Sequence, residues 1–290
     1  MNRGFASLHP APCFLYYVSL VILIMIIYHP LFLFLALCSQ ILLNIMQDGG
    51  KRLKESIKYY IFLGFLIVLI NPFISHRGQT VLFYFFDNPV TLEAVIYGIA
   101  MMMSLLTVII TFVSYNMVIT ADKFMFLFSS IFPKTAFMCM MAMRFVPVLK
   151  KRSQDIALVQ KTRGTDTTTG SLSQRIKNGM QIMIILITWS LEEAIITSRS
   201  MRARGYGITK NRSSYFNYKM TKRDWTILAV TVLTCGNLLF FLHRGIGHFQ
   251  IYPEVSLLTL DINTGLFLAV SFIYLAIPIA IEGAERLIWL

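Results

Sequence analysis

Five stretches of the chain, residues 13–46, 59–76, 94–121, 225–243 and 264–281, contain no Asp, Glu, Lys or Arg. A run of about 20 apolar residues is long enough to cross a bilayer as an α-helix. A helix also satisfies every backbone group from within its own segment, as a lipid surrounding requires. The rest of the sequence is too small to bury so much apolar surface. Hydrophobic residues make up 56% of the chain and charged ones 14%, where an ordinary soluble domain has about 25% charged. The fold class expected is therefore an all-α polytopic membrane protein. It has about six membrane helices and a separate domain of long amphipathic helices.

The spans follow from the breaks. Tyr28-His29-Pro30 interrupts the first run, and a residue before proline is driven out of the helical region. Two short spans, 13–28 and 30–46, result. Asp48-Gly49-Gly50 ends the second, and a basic loop with Lys51, Arg52, Lys54 and Lys58 follows. Further spans are expected at 58–74, ending near Asn71-Pro72, and at 91–118, 225–243 and 264–282. The first apolar run leads straight into the second without a small-residue cleavage pattern, so no cleavable signal peptide is expected.

Charge sets the orientation. Of the net +12, residues 144–224 supply +11, with 16 Lys or Arg against five acids. In membrane proteins Lys and Arg gather in cytoplasmic loops, so this basicity does not point to nucleic acid. Placing loop 47–58 and residues 121–224 in the cytoplasm puts 75–90 and 244–263 outside and both termini inside. Three regions are expected: N-terminal membrane helices (1–120), a cytoplasmic helical domain (121–224) and C-terminal membrane helices (225–290).

Several functions are disfavoured. Ion-coupled transporters and pumps use ionisable side chains inside the membrane, and the charge-free spans offer none. No Walker-type glycine loop is present, and Gly205-Tyr206-Gly207 and Gly245-Ile246-Gly247 lack the third glycine of a dinucleotide motif. Neither cofactor nor metal site is expected: His243 and His248 straddle a span end but lack the further ligands a metal needs. Cys13, Cys38, Cys139 and Cys235 read as small buried hydrophobes. No catalytic residue stands out; the adjacent pair Glu192-Glu193 lies in a basic helix where salt bridges are the ordinary explanation.

Two long helices are expected in the basic segment. The first begins near Pro133, favoured in a first turn, and runs to about Arg163, with a kink at Pro147. Gly164 then serves as a left-handed cap, and the turn-forming linker 165–170 follows. The second begins at Ser171 with capping-box spacing to Gln174 and stops at Gly205. Its apolar middle, Met180 to Trp189, calls for burial against other helices or at the bilayer surface. Thr162-Arg163-Gly164 and Ala203-Arg204-Gly205 thus close the two helices alike. A cation suits a helix C-terminus, and the glycine leaves the guanidinium protruding toward a partner's carboxylate or carbonyls. Arg-Gly also occurs at Arg3, Arg77 and Arg244, so the dipeptide alone carries little; the pairing at the ends of two long helices carries more.

At these residues the chain resembles the transmembrane T component (EcfT-like) of energy-coupling factor (ECF) transporters, related to the permease subunit of cobalt and nickel uptake systems. The resemblance rests on Asn71-Pro-Phe-Ile-Ser-His-Arg-Gly78, Arg144-Phe-Val-Pro147, Arg163-Gly164 and Ser200-Met-Arg-Ala-Arg-Gly-Tyr-Gly207. The family's short motifs usually read Ala-Arg-Gly; the second matches and the first is Thr-Arg-Gly. The resemblance implies a non-catalytic coupling subunit of an ABC-type importer in a prokaryotic cell membrane. Its two tips would dock on two cytoplasmic ATPases, and a membrane-embedded substrate-binding S component for a vitamin, micronutrient or metal ion would pack beside it. Phe137, Met138, Met141, Phe145, Met180, Met183 and Trp189 would then face the S component, unless they pack within this subunit. The alternative from another class is a self-sufficient permease or channel.

Overall fold

The computed structural model describes residues 4–75, 78–85, 88–129, 131–165, 167–208, 218–247, 249–250 and 261–288. A 3-10 turn, Gly4–Ser7, leads into α1 (Pro10–Ile26), α2 (Pro30–Asp48) and α3 (Lys51–Ile74). A hairpin of β1 (Val81–Phe85) and β2 (Asn88–Thr91) connects to α4 (Leu92–Val118). Then come α5 (Ala121–Ser129), α6 (Pro133–Thr162), α7 (Leu172–Ala203), α8 (Lys222–His243) and α9 (Ile262–Ile288). The chain divides into two compact units, Met1–Phe124 with Tyr218–Leu290, and Met125–Asn217.

Proline and glycine set most boundaries. Pro10 and Pro30 stand in the first turns of α1 and α2, where no intrahelical N–H is missed. Gly49 and Gly50, at φ +62° and +73°, turn the chain from α2 into α3. The helix expected to end at Asn71-Pro72 continues through Pro72 to Ile74, and Asn71 Nδ2 donates to Ala94 O on α4 at 2.7 Å. Helix α6 likewise continues through Pro147.

Six described helices are long and apolar enough to cross a membrane: α2, α3, α4, α7, α8 and α9. The fold is that of a predominantly α-helical, multi-pass membrane protein. The membership of the six differs from that read in the sequence. Helix α7 qualifies over 32 residues, whereas α1, with 17 residues, falls in the shorter class.

Short as it is, α1 supplies one buried face to the core of the first unit. Tyr16, Leu20, Leu23 and Ile24 are fully buried, in one cluster with Phe5, Phe32, Leu33, Phe267 and Tyr274. Lipid tails are as apolar as these side chains, so close packing and hydrogen bonds hold such a bundle, the latter at about 0.6–2 kcal/mol each. Tyr17 Oη pairs with Ser114 Oγ at 2.7 Å, and Ser114 donates to Gln47 Oε1 at 2.8 Å, joining α1, α4 and α2. Tyr274 Oη donates to Tyr16 O at 3.0 Å, and Asn44 Nδ2 donates to Ile110 O at 3.2 Å.

The loop expected at 75–90 contains the hairpin. It is fastened to α4 through Glu93, whose Oε1 accepts from Thr80 N at 3.2 Å and from Thr80 Oγ1 at 2.7 Å. Of the cysteines expected inside, Cys13 is buried, Cys139 and Cys235 are half-buried and Cys38 is exposed. An exposed thiol on an apolar span suits a lipid-facing surface as well as a core.

Candidate functional site

The second unit holds fourteen Lys or Arg and four acids, on α6, α7 and their flanks. Pro133 opens α6, and Ser171 Oγ caps α7 by accepting from Gln174 N at 3.4 Å. The two helices run antiparallel. Phe137 stacks on Tyr206 with ring centroids 5.1 Å apart, and the Arg152 guanidinium lies 4.5 Å over the Trp189 ring. Farther along the same register, Ile156 and Val159 share a shallow groove with Ile185.

Each helix closes in the double hydrogen-bonded turn that a left-handed glycine permits. After α6, Gly164 stands at φ +80°; its N–H donates to Lys161 O at 3.1 Å, and Thr165 N–H donates to Gln160 O at 2.9 Å. After α7, Gly205 stands at φ +82°; its N–H donates to Arg202 O, and Tyr206 N–H donates to Met201 O, both at 3.0 Å. Any residue with a Cβ costs roughly 1–2 kcal/mol in this conformation. The glycine therefore fixes where each helix stops, and the preceding arginine becomes the cap. Thr162, Arg163, Ala203 and Arg204 are all exposed. Among the described residues neither the Arg163 nor the Arg204 side chain has an ion-pair or hydrogen-bond partner.

A third helix ends the same way. After α8, Gly245 stands at φ +78°, its N–H donates to Leu242 O at 2.9 Å, and Ile246 N–H donates to Phe241 O at 3.0 Å. The turn itself is therefore a general helix stop. What differs is the arginine: the Arg244 guanidinium lies 5.0 Å over the Phe240 ring of its own helix. Arg77, Asp166 and His248 lie outside the described residues.

The antiparallel register puts Arg163 and Arg204 at opposite ends of the helix pair. Tyr206 faces Phe137, so about 25 residues of helix separate the tips, roughly 38 Å at 1.5 Å per residue. The apolar residues singled out in the sequence divide into two groups. Met138, Met180 and Met183 are 70%, 55% and 57% exposed. Phe137, Met141, Phe145 and Trp189 are half-buried, Phe137 against Tyr206 and Trp189 under Arg152. Leu158 and Ile176, not singled out in the sequence, and Ile184 and Leu191, in and just past the apolar middle of α7, are each at least 60% exposed. Glu192 and Glu193, expected in salt bridges, form none among the described residues.

The profile of the cobalt transport protein family CbiQ matches residues 7–215. An energy-coupling factor transporter transmembrane protein EcfT of Bacillus selenitireducens is 36% identical over 98 residues, 34% of this chain and 37% of that protein. The EcfT of Lactobacillus helveticus is 38% identical over 100 residues, 34% of this chain and 36% of its own length. The EcfT of Macrococcus caseolyticus is 27% identical over 206 residues, 66% of this chain and 75% of that protein.

Proposed function

The chain belongs to the cobalt transport protein (CbiQ) family, and from that premise we propose that it is the transmembrane coupling subunit of an ECF-type ABC importer. It performs no chemistry. Arg163 and Arg204, with Thr162, Gly164, Ala203 and Gly205 around them, dock on two cytoplasmic ATPases. The exposed apolar faces of α6 and α7, with Met138, Met180 and Met183 at their centre, receive a membrane-embedded S component that binds the vitamin, micronutrient or metal ion. The subunit sits in a prokaryotic cell membrane with both termini in the cytoplasm.

The observation that carries this reading is the pair of exposed arginines, their side chains without a partner among the described residues, at opposite ends of one antiparallel helix pair. Two sites roughly 38 Å apart suit two separate proteins better than one groove. Counting α1 rather than α7 among the spans supports the orientation. Helix α7 carries Arg175 and Lys177 near its start, Glu192 and Glu193 within, and Arg199 and Arg202 near its end. Charges of that number and spread are costly in hydrocarbon. The 17 residues of α1 reach about 26 Å, close to the bilayer core. The experiment is extraction of the tagged chain from its native membrane in mild detergent. Two ATPases and an S component are expected to elute with it; elution of the chain alone refutes the assignment.

A further inference from the structure

The polypeptide passes between its two units twice, at Phe124/Met125 and at Asn217/Tyr218. On the first-unit side, both passages are tied to the same short stretch at the start of the chain. At the first, the Lys123 ammonium is buried and donates to Ala6 O at 2.6 Å and to Val118 O at 3.1 Å, while Phe124 meets the Phe14 ring edge-on. At the second, Asp224 Oδ1 accepts from His9 N at 3.1 Å, and Tyr218 meets the His9 ring edge-on. Asp224 also holds the start of α8 in a reciprocal cap with Thr221.

The stretch is in turn gripped by α9. Phe5 N–H donates to Glu282 Oε2 at 2.9 Å, Gly4 N–H donates to Glu285, and Ser7 Oγ donates to Glu285 Oε1 at 3.1 Å. Glu285 also pairs with Arg223 on α8 at 2.9 Å. Gly4 stands at φ +69°, and a Cβ there would meet the Glu282 carboxylate. Phe5 is fully buried, edge-on to Tyr16 and Tyr17. A buried ammonium held by carbonyls is costly to leave without its acceptors.

We propose that residues 4–9 are a clasp that locks both chain passages to the membrane bundle, with Lys123 and Glu285 as its positioning residues, so that movement of α6 and α7 is delivered to the bundle and not dissipated at the joints. The inference rests on the coupling function proposed above. A lever transmits only if its ends are fixed, and here one six-residue segment fixes α4, α5, α8 and α9 together.

The test is made on the complete importer in proteoliposomes, measuring ATP hydrolysed and substrate taken up in the same sample. Lys123→Met keeps the side chain's length and removes its donors; Lys123→Arg keeps the charge. Glu285→Gln, at the rim, removes the Arg223 ion pair and one of the two acceptor oxygens that hold Gly4 and Ser7, without opening the core. Lys123→Met and Glu285→Gln are expected to leave complex recovery and ATP hydrolysis intact and to lower uptake per ATP by roughly two- to thirty-fold, the range of coupling-network substitutions. Lys123→Arg is expected to recover most of the loss. An unchanged ratio in Glu285→Gln overturns the clasp, as does a loss of assembly and hydrolysis in step with uptake. Arg163→Glu in the same preparation separates the two ideas: if it leaves assembly intact, the docking proposal fails, whatever the clasp variants do.

Discussion

Replacing Arg163 or Arg204 by glutamate leaves each helix cap in place, because the glycine and the two backbone hydrogen bonds make the turn. Only the presented charge changes. Truncating one partner of a desolvated charged pair at an interface costs about 2–5 kcal/mol, or roughly 30- to 5,000-fold in affinity. The two tips stand roughly 38 Å apart along the helix pair. Sites beyond about 10 Å with no shared partner lose binding energy additively. Arg163→Glu is therefore expected to release one ATPase and leave the other bound. Arg204→Glu does the reverse, and the double variant releases both. The assay is titration of the purified chain, in nanodiscs, with each labelled ATPase. Arg244→Glu, in the same kind of turn but stacked on Phe240, serves as the control and is expected to bind both. If a single substitution releases both ATPases, or if Arg244→Glu weakens binding as much, the tips are helix caps and the two-site reasoning is refuted.

Other expectations follow from the same geometry. Met138→Asp with Met183→Asp places two charges on exposed positions and should abolish S-component capture while ATPase binding survives; equal loss of both means these side chains are internal packing. His9 Nδ1 caps α1 by accepting from Ala11 N at 3.2 Å, and burial lowers the His9 pKa below 6.5 against the opposing pull of Asp224. The neutral form is the folded one, so its contribution is present above pH 6.5 and is lost as pH falls through the lowered value. The melting temperature should drop on acidification below pH 6.5, and His9→Asn, which keeps an acceptor without titrating, should flatten that drop. In a cysteine-free background, a thiol at Ser171 should resist labelling from outside intact cells and one at Asn263 should react; the opposite pattern reverses the orientation.

The spans were legible because lipid forbids charge over about 20 residues, a constraint written in consecutive positions. The two Arg-Gly stops were legible for a similar reason, since a left-handed turn demands glycine at one place. What could not be read is what joins distant parts of the chain. Glu282 and Glu285 look like ordinary acids at the end of the last span, and only the fold brings them to residues 4–7. Lys123 reads as one more cytoplasmic cation until its carbonyl partners are seen. Helix α5 is only nine residues, shorter than the stretch over which a helical period stands out, and the run Val81-Leu82-Phe83-Tyr84-Phe85 lacks the alternation that marks a half-buried strand. Helix α7 was the hardest case. Its 32 residues reach the length of a span, and the shortness of its apolar middle, Met180 to Trp189, and the charges along it argue otherwise.

The central claim is that this chain transmits energy and does not supply it. The direct measurement is uptake into proteoliposomes holding the S component and this chain, with and without the two ATPases and internal or external ATP. The account predicts uptake only when both ATPases are present and ATP is hydrolysed on their side of the membrane, and none from the chain and S component alone. Sustained uptake by this chain without ATPases, driven by an ion gradient or by substrate alone, would contradict it and identify a self-sufficient permease.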